Sequence, residues 1–226
     1  MQTEFRLMID KGESFDIPSF LETEIDIFLS IAQDKFITKR AFGNNVRKTM
    51  FEEEEKRRDD LRTLIKSASP IITPNQDGTK PNGAFAALPE DYRHAVNEEA
   101  IIYTTGVSGS SRRVGVKPIT HDRYNKIIDD PFNKPEKDTV YRLGYGGPNS
   151  INQFELICGE GQYVDTYILR YLKHAPNIVS YGDALQNCIL PDHTHREIVR
   201  MAVLEALENI ESPRYQSSKI ELNEIE

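Results

Sequence analysis

The sequence predicts an α+β fold in which helices near both ends of the chain flank a β-rich middle. Near the two ends, apolar residues recur at helical spacing, whereas residues 85–180 form short β-prone runs separated by turn residues. The 226 residues are enough for one or two domains with a sizeable core.

The N-terminal part is predicted to be an arm followed by a helical hairpin. Residues 1–18 alternate weakly and end at Pro18, which favours an arm or an edge strand. Residues 19–67 favour two helices, the first opened by a capping box at residues 19–22. The first helix carries two apolar stripes, and we expect it to be buried on both sides. The second stripe gives three candidate subunit-interface residues: Phe20, Ile27 and Ile31.

The second helix of the hairpin is predicted over about residues 45–67. Its charged middle, residues 52–60, places acidic residues before basic ones, which supports a solvated helix through i,i+4 pairs. Two interpretations remain open, a plain exposed face or a helix that bridges subunits.

The middle of the chain begins with a loop over residues 68–84, which is dense in proline and in Asn-Gly and Asp-Gly turn signals. A β-rich region then extends over residues 85–189, with two short helical insertions at residues 89–94 and 120–128. Six strands are predicted: 85–88, 98–104, 113–119, 139–145, 153–158 and 163–172.

A closing helix is predicted over residues 190–211 and is expected to pack on the helical pair. Pro191 with Asp192 begins it, and Ser212-Pro213 ends it. Met201 and Leu204 lie away from its main apolar face, which favours a second contact, such as one with a neighbouring copy. Residues 212–226 form a charged, extended tail with too few apolar residues to fold alone.

Composition limits the function classes. The 28 basic and 36 acidic residues give a net charge of −8, which argues against general adhesion to nucleic acid but not against a protein that surrounds DNA. Cys158 and Cys188 do not make a disulfide framework, and we expect reduced core thiols. We expect neither a membrane span nor a secretory signal.

Candidate reactive groups are few. The glycines at 144–147 and 159–161 lie between predicted strands, which favours hairpin turns over phosphate loops. Soft and borderline metal ligands occur in one place, at Cys188, Asp192, His193 and His195, but a second Cys/His pair is missing nearby. The sequence therefore predicts no catalytic residue, no cofactor and no metal. A metal-dependent hydrolase using these four residues stays as the distant alternative.

Several short phrases, in a fixed order, carry a family resemblance. They are residues 88–94, 116–124, 130–135, 166–171 and 190–199. This order resembles structural proteins of tailed bacteriophages, and it is most similar to neck or ring proteins of crAss-like and related Bacteroides podovirus-type phages. The similarity covers about residues 80–215.

The resemblance implies a head-to-tail connector, a virion protein of the neck or tail region that is assembled in the host bacterial cytoplasm. It implies a homo-oligomeric ring, commonly of twelve copies, that contacts the portal protein and further ring or tail proteins. Such a ring extends the DNA channel, and DNA passes through it without sequence-specific binding or catalysis. A tail-tube or stopper protein of the virion is the alternative.

Terminal extensions of such adaptors often reach an adjacent ring or the portal, so the resemblance makes the tail a docking segment. Its candidate docking residues are Pro213, Arg214, Tyr215, Ile220 and Leu222.

Overall fold

A computed structural model describes residues 1–9, 20–42, 54–74, 83–107, 109–135, 138–146, 152–181 and 185–210, together with 215–216 and 219–220. The chain divides into two compact units. Residues 1–64 and 175–226 form one, which we call the helical unit, and residues 65–174 form the other, the sheet unit. The architecture is α+β, as predicted.

The elements of the described residues are five α-helices, one 3-10 turn and eight strands. The helices are α1 (Gln2–Ile9), α2 (Glu22–Ala41), α3 (Glu55–Leu61), α4 (His121–Asp129) and α5 (Asp192–Asn209), and the 3-10 turn is Arg62–Leu64. The strands are β1 (Ile65–Ala68), β2 (Ile72–Pro74), β3 (Gly83–Ala87), β4 (Tyr92–Thr104), β5 (Arg112–Pro118), β6 (Val140–Gly146), β7 (Asn152–Ile157) and β8 (Gln162–Lys173).

The helical unit is built around α5, against which both α1 and α2 pack. Its core combines one apolar face of each helix, because burying such faces is what stabilises short helices in a protein. The buried side chains include Phe5, Ile25, Leu29, Ala32, Phe36, Ile198, Ala202, Ala206 and Leu207.

Two N-terminal predictions need correction. Part of the predicted arm is the helix α1, in which Phe5 and Ile9 lie one turn apart and are both buried. Two apolar anchors in eight residues are too few to show a helical period in the sequence. Helix α2 begins at Glu22, later than the capping box predicts. Glu24 still closes half of such a box, since its carboxylate accepts a hydrogen bond of 2.8 Å from the Leu21 backbone N–H.

The predicted second helix is shorter than expected. Residues 43–53 lie outside the described part, and α3 spans seven residues before a 3-10 turn. From Ile65 the chain is a strand that pairs antiparallel with β8, so the backbone groups of residues 65–68 bond across the sheet rather than along a helix.

A buried ionic network joins three helices of the helical unit. The Arg40 Nε lies 3.1 Å from Asp60 Oδ2, and its Nη2 donates to both Glu197 carboxylate oxygens at 2.7 and 3.0 Å. The His193 Nε2 lies 2.8 Å from the other Asp60 oxygen. Arg40 and Asp60 are buried, so both charges depend on the contacts within this network for compensation.

The sheet unit is one eight-stranded sheet in the order β1-β8-β4-β5-β6-β7-β3-β2. Neighbouring strands are antiparallel except for β5 and β6, which are parallel and are connected through α4. The sheet curls, because β2 and β3 near one edge approach β8 near the other. Three register shifts between β4 and β8 accompany this curvature.

The inner face of the curled sheet holds the core of the sheet unit. Its fully buried members include Ala86, Ala100, Val140, Leu156, Tyr167, Leu169 and Tyr171. A smaller cluster forms where α4 packs on the sheet, with Ile119, Tyr124 and Ile127 against Tyr141, Leu143 and Ile157.

One buried ion pair lies inside this sheet. The Arg142 Nε is 3.0 Å from Glu98 Oε2, which also accepts a hydrogen bond of 2.7 Å from the Tyr167 hydroxyl. The Arg142 guanidinium stacks 4.1 Å from the centre of the Phe154 ring. Burial raises the pKa of Glu98, and the charge of Arg142 opposes this effect.

Two predictions for the middle of the chain differ from the structure. Parts of the predicted loop over residues 68–84 form β2 and the start of β3. The first helical insertion, at residues 89–94, is a turn closed by the Tyr92 N–H on the Pro89 carbonyl at 3.0 Å, after which β4 begins. The Tyr92 ring packs edge-on against Phe154, and this contact favours the strand. The second insertion, at residues 120–128, is confirmed as α4.

Candidate assembly surface

Helix α2 is the element on which the candidate site is built, and it presents three stripes at helical spacing. The first, made of Ile25, Leu29, Ala32 and Phe36, is buried in the core. The second consists of Asp26, Ser30 and Gln33, which are polar residues in a position where an apolar stripe would be expected. The third contains the exposed Ile27 and Ile31.

The polar stripe binds the chain segment that follows the sheet unit, residues 176–180. The Asp26 carboxylate accepts hydrogen bonds from the Ser180 backbone N–H at 2.8 Å and from its hydroxyl at 2.7 Å. The Ser30 hydroxyl accepts from the Ile178 N–H at 3.0 Å, and the Gln33 amide donates to the Pro176 carbonyl at 3.0 Å. The segment is therefore held along α2 by side chains one turn apart.

The role of these three residues in binding the segment was not predicted from the sequence. The sequence shows only that Asp26, Ser30 and Gln33 are spaced four and three positions apart, which places them on one face of a helix. A polar face on a helix ordinarily indicates that the face is exposed to solvent. Only the structure shows that this face binds backbone groups of residues 176–180.

A groove lies between α2 and this bound segment. Its volume is about 400 Å³, and its lining residues are Thr23, Asp26, Ile27, Ser30, Ile31, Asp34, Asn177, Ile178, Val179 and Tyr181. We call it the α2 groove. Ile27 is 58 % exposed and Ile31 40 % exposed, so two β-branched apolar side chains face solvent side by side on a rigid helix. Adjacent apolar groups of this kind are typical of contact surfaces.

The five predicted interface residues lie in different environments. Ile27 and Ile31 line the α2 groove. Phe20 packs instead within its own chain, edge-on to Phe28 with ring centres 5.5 Å apart and against Phe5 at 6.1 Å. Met201 is 8 % exposed, and Leu204 is half-buried.

The burial of Met201 has a structural reason. Both α1 and α2 pack on α5, so a wider arc of α5 is covered inside the chain than one partner helix would cover. Little of the Met201 side chain is left for a neighbouring copy, whereas part of Leu204 stays accessible.

The predicted docking tail falls mostly outside the described residues. This applies to Pro213, Arg214 and Leu222. Tyr215 is half-buried, and the Lys219 ammonium lies 5.5 Å from the centre of its ring. Ile220 is exposed.

Three of the four residues considered as metal ligands make separate hydrogen bonds, whereas the side chain of the fourth, Asp192, is exposed and lies 3.8 Å from His195 Nδ1. The Cys188 thiol donates to the Gln33 side-chain oxygen at 3.1 Å, His193 bonds to Asp60, and the His195 Nε2 lies 3.0 Å from the Leu190 carbonyl. Among the residues that the structure describes, no three His, Cys, Asp or Glu side chains are grouped to hold a metal ion.

Both thiols are protected from ionisation. Burial raises the pKa of Cys158 to about 11 and also raises that of Cys188. Of the glycines, Gly161 has a φ of +72° in the turn between β7 and β8, which is the predicted hairpin, while Gly144 and Gly146 lie within β6. In the described ranges, no helix has the length and hydropathy to cross a membrane.

These features define a class of protein. One open surface of the helical unit is a groove with exposed isoleucines on a rigid helix, and the two thiols and two histidines weighed for chemistry are engaged in hydrogen bonds within the fold. This combination is typical of a structural subunit that assembles with others.

The family is shown by comparison. The chain belongs to the phage tail ring protein 3/4 family, whose model matches residues 1–216. It is also similar to "Ring protein 3" of Bacteroides phage crAss001, at 28 % identity over 200 residues that cover 82 % of this chain and 84 % of that protein. The resemblance drawn from the sequence is thereby confirmed, and the chain is a phage structural protein.

Proposed function

We propose that the chain is the subunit of a closed homo-oligomeric ring in the head-to-tail connector of a tailed phage, and that this ring extends the DNA channel between portal and tail. The observation that carries the proposal is the family match over residues 1–216. The exposed Ile27 and Ile31 of the α2 groove supply a surface for contact with another copy. A ring requires such a surface, because every subunit must bind a neighbour on each side.

The charge of the chain supports a conduit for DNA. At −8, the subunit carries excess negative charge, and a ring multiplies this charge by its copy number. A surface with excess negative charge repels phosphates, so duplex DNA passes without being held. No sequence-specific DNA contact and no catalytic step are part of this function.

A second position in the particle is favoured by one observation. The family is one of phage tail ring proteins, which favours a ring within the tail, such as a tail-tube or stopper component, over a ring directly below the portal. The partners differ accordingly: the portal and a tail protein in the first case, and tail proteins on both sides in the second.

The ring itself is tested by mass and symmetry. Purified full-length chain should give a single assembly whose mass is an integral multiple of 25.9 kDa, with rotational symmetry in averaged electron micrographs. Twelve copies is the number that we propose. A chain that remains monomeric at all concentrations and is missing from purified particles would refute the proposal.

The position is tested separately. An averaged map of the virion, with the subunit identified by a fused density marker, should show it at the junction of portal and tail. Density confined to a site further along the tail would reject the connector position and support the tail ring.

A further inference from the structure

The turn at residues 130–134, which we call the Phe132 turn, is held by a dense set of local hydrogen bonds. The Asp130 carboxylate accepts from the Phe132 backbone N–H at 3.0 Å and from the Asn133 side-chain amide at 2.6 Å. The Asp130 carbonyl accepts from the backbone N–H groups of Asn133 and Lys134 at 3.2 and 3.0 Å. An aspartate that bonds its own turn in this way fixes the backbone locally.

This turn is also fastened to the sheet unit. The Tyr141 hydroxyl donates to the Asn133 carbonyl at 2.6 Å, and Tyr141 is a buried member of the cluster beneath α4. Pro131 within the turn and Pro135 directly after it fix φ at two more positions. The turn is therefore rigid before any partner binds.

The side chain that this rigid turn presents is Phe132, which is 92 % exposed. Single exposed apolar residues are common and ordinarily need no explanation. Here, however, an aromatic ring is held in solvent by a preorganised turn, so little conformational entropy is lost when it is buried by a partner. Rigid aromatic anchors of this kind are enriched among the residues that carry binding energy at interfaces.

The α2 groove has room for this anchor and offers it an apolar contact on part of its lining, beside polar groups such as Thr23 and Asn177. Its volume of about 400 Å³ exceeds the roughly 150 Å³ cavity that accepts a benzene ring, which leaves room for the flanking turn. Ile27, Ile31 and Ile178 contribute apolar walls. Charge matches as well: the exposed Lys134 follows Phe132, and the exposed Asp34 lines the groove.

We propose that Phe132 of one copy inserts into the α2 groove of the next copy in the ring. Because the anchor and the groove are made of different residues, the contact is heterologous, and such contacts repeat head to tail until a ring closes. This inference rests on the proposed function, since it names the contact from which the ring is built.

The contact is tested first by cross-linking. Lys134→Cys and Asp34→Cys are placed in separate copies, in a background in which Cys158 and Cys188 are replaced by alanine and assembly is retained. Mixing the two variants with a short bis-maleimide should give a covalent dimer containing one copy of each. Adding Phe132→Ala to the Lys134→Cys copy should reduce the yield of this dimer at least tenfold.

A control variant separates specific from random capture. Val107→Cys, at another exposed position, replaces Lys134→Cys and should give little dimer with Asp34→Cys. Equal yields from the two positions, or no dimer from Lys134→Cys, would overturn the inference.

Assembly provides the second readout, which needs no cysteine. Phe132→Ala should raise the subunit dissociation constant by about 30-fold or more, the effect expected of a hot-spot residue. Ile71→Ala, which truncates an exposed side chain elsewhere, should leave it unchanged.

The outcomes separate the two proposals. If the wild-type chain forms a ring and Phe132→Ala leaves it intact, this inference fails and the proposed function stands. If the wild-type chain forms no ring, both fail.

Discussion

The helical unit and the sheet unit bury their charges in different ways. In the helical unit, the buried Arg40 and Asp60, together with Glu197, join three helices, and no backbone hydrogen bond between the described residues of these helices connects one to another. In the sheet unit, Arg142 and Glu98 lie among strands whose register is already set by backbone ladders. A ladder specifies which residues face each other, whereas packed helices can slide and rotate.

This difference indicates a role for the helical network. A buried ion pair is a poor source of stability, because the desolvation penalty offsets much of the attraction. We expect it instead to disfavour other arrangements of the helices, since a shift of α2 relative to α3 or α5 would separate the buried Arg40 from one of its two carboxylate partners. We infer that this network fixes the position of α2 and thereby the geometry of the α2 groove.

The largest expected effect is in the helical network. Asp60→Ala should lower the free energy of unfolding by up to about 3–5 kcal/mol, because it removes one of the two carboxylates that compensate the buried Arg40 and also the partner of His193. Urea denaturation followed by circular dichroism measures it. The control is Lys35→Ala, which removes the exposed pair between α2 and α5 at 2.5 Å and should cost at most about 1 kcal/mol. Similar losses of stability in the two variants would show that the buried network contributes no more than an exposed ion pair.

The sheet unit should instead be most sensitive to loss of volume. Leu156, which is fully buried inside the curled sheet, leaves a cavity when it is replaced by alanine. The expected loss is about 2–5 kcal/mol, measured by the same denaturation. Ile157→Val, a smaller truncation on the neighbouring residue, serves as the graded control and should cost about 1 kcal/mol. A loss below that of the control would mean that the sheet collapses around the cavity.

A smaller, pH-dependent effect is expected at Asp91. Hydrogen bonds from Lys66 and then Tyr171 lower the pKa of Asp91 below its ordinary value of 3.8. The unfolded chain therefore binds this proton more readily. The stabilisation is present above pH 3.8 and is lost as the pH falls through the lower pKa of the folded state.

The variant Asp91→Asn tests this sign. It should be less stable than the wild type by under about 1 kcal/mol at pH 7, because the pair with Lys66 is partly exposed, and the difference should vanish in acid. A difference that grows as the pH falls would contradict the assigned direction.

The smallest effect compares one thiol from each unit. Cys158 in the sheet unit is buried with a pKa of about 11, whereas Cys188 in the helical unit is half-buried. N-ethylmaleimide at pH 7.5 should therefore modify Cys188 before Cys158, as read by mass spectrometry after peptide digestion. Faster modification of Cys158 would show that the curled sheet opens around Cys158 more readily than Cys188 leaves its contact with Gln33 of α2.

The sequence predicted the strands of the sheet unit better than the helices of the helical unit. The six predicted strands correspond to β3 through β8, because runs of β-branched and aromatic residues are a local signal. Strand β1 has four residues and pairs with the distant β8, and β2 has three residues and pairs with the adjacent β3. Runs this short leave no clear period in the local sequence. Helix α1 was not predicted because its two buried residues, Phe5 and Ile9, are too few to show a helical period. Their burial depends on packing against α5 and α2, which the local sequence does not reveal.

The candidate site was predicted in part. The second apolar stripe with Ile27 and Ile31 follows from helical periodicity alone, but the helix was expected to be buried on both sides, and these two side chains are exposed in the single chain. Phe20 and Met201 were also predicted as interface residues. Helical periodicity shows which side of a helix a residue faces, but it does not show whether another part of the same chain covers that side. Phe132 gave no signal, since an exposed aromatic residue in a turn is recognised only when its exposure and the hydrogen bonds of the turn are known.

Native mass spectrometry of two variants and the wild type shows whether the α2 groove is the contact between copies. Wild-type chain should give a single ring stoichiometry, and Ile27→Asp with Ile31→Asp should give monomer, because two desolvated carboxylates would oppose the contact. The exposed control Ile71→Asp should still form the ring, and circular dichroism should be unchanged in all three chains. A ring of unchanged mass from the Ile27→Asp, Ile31→Asp chain would contradict the claim.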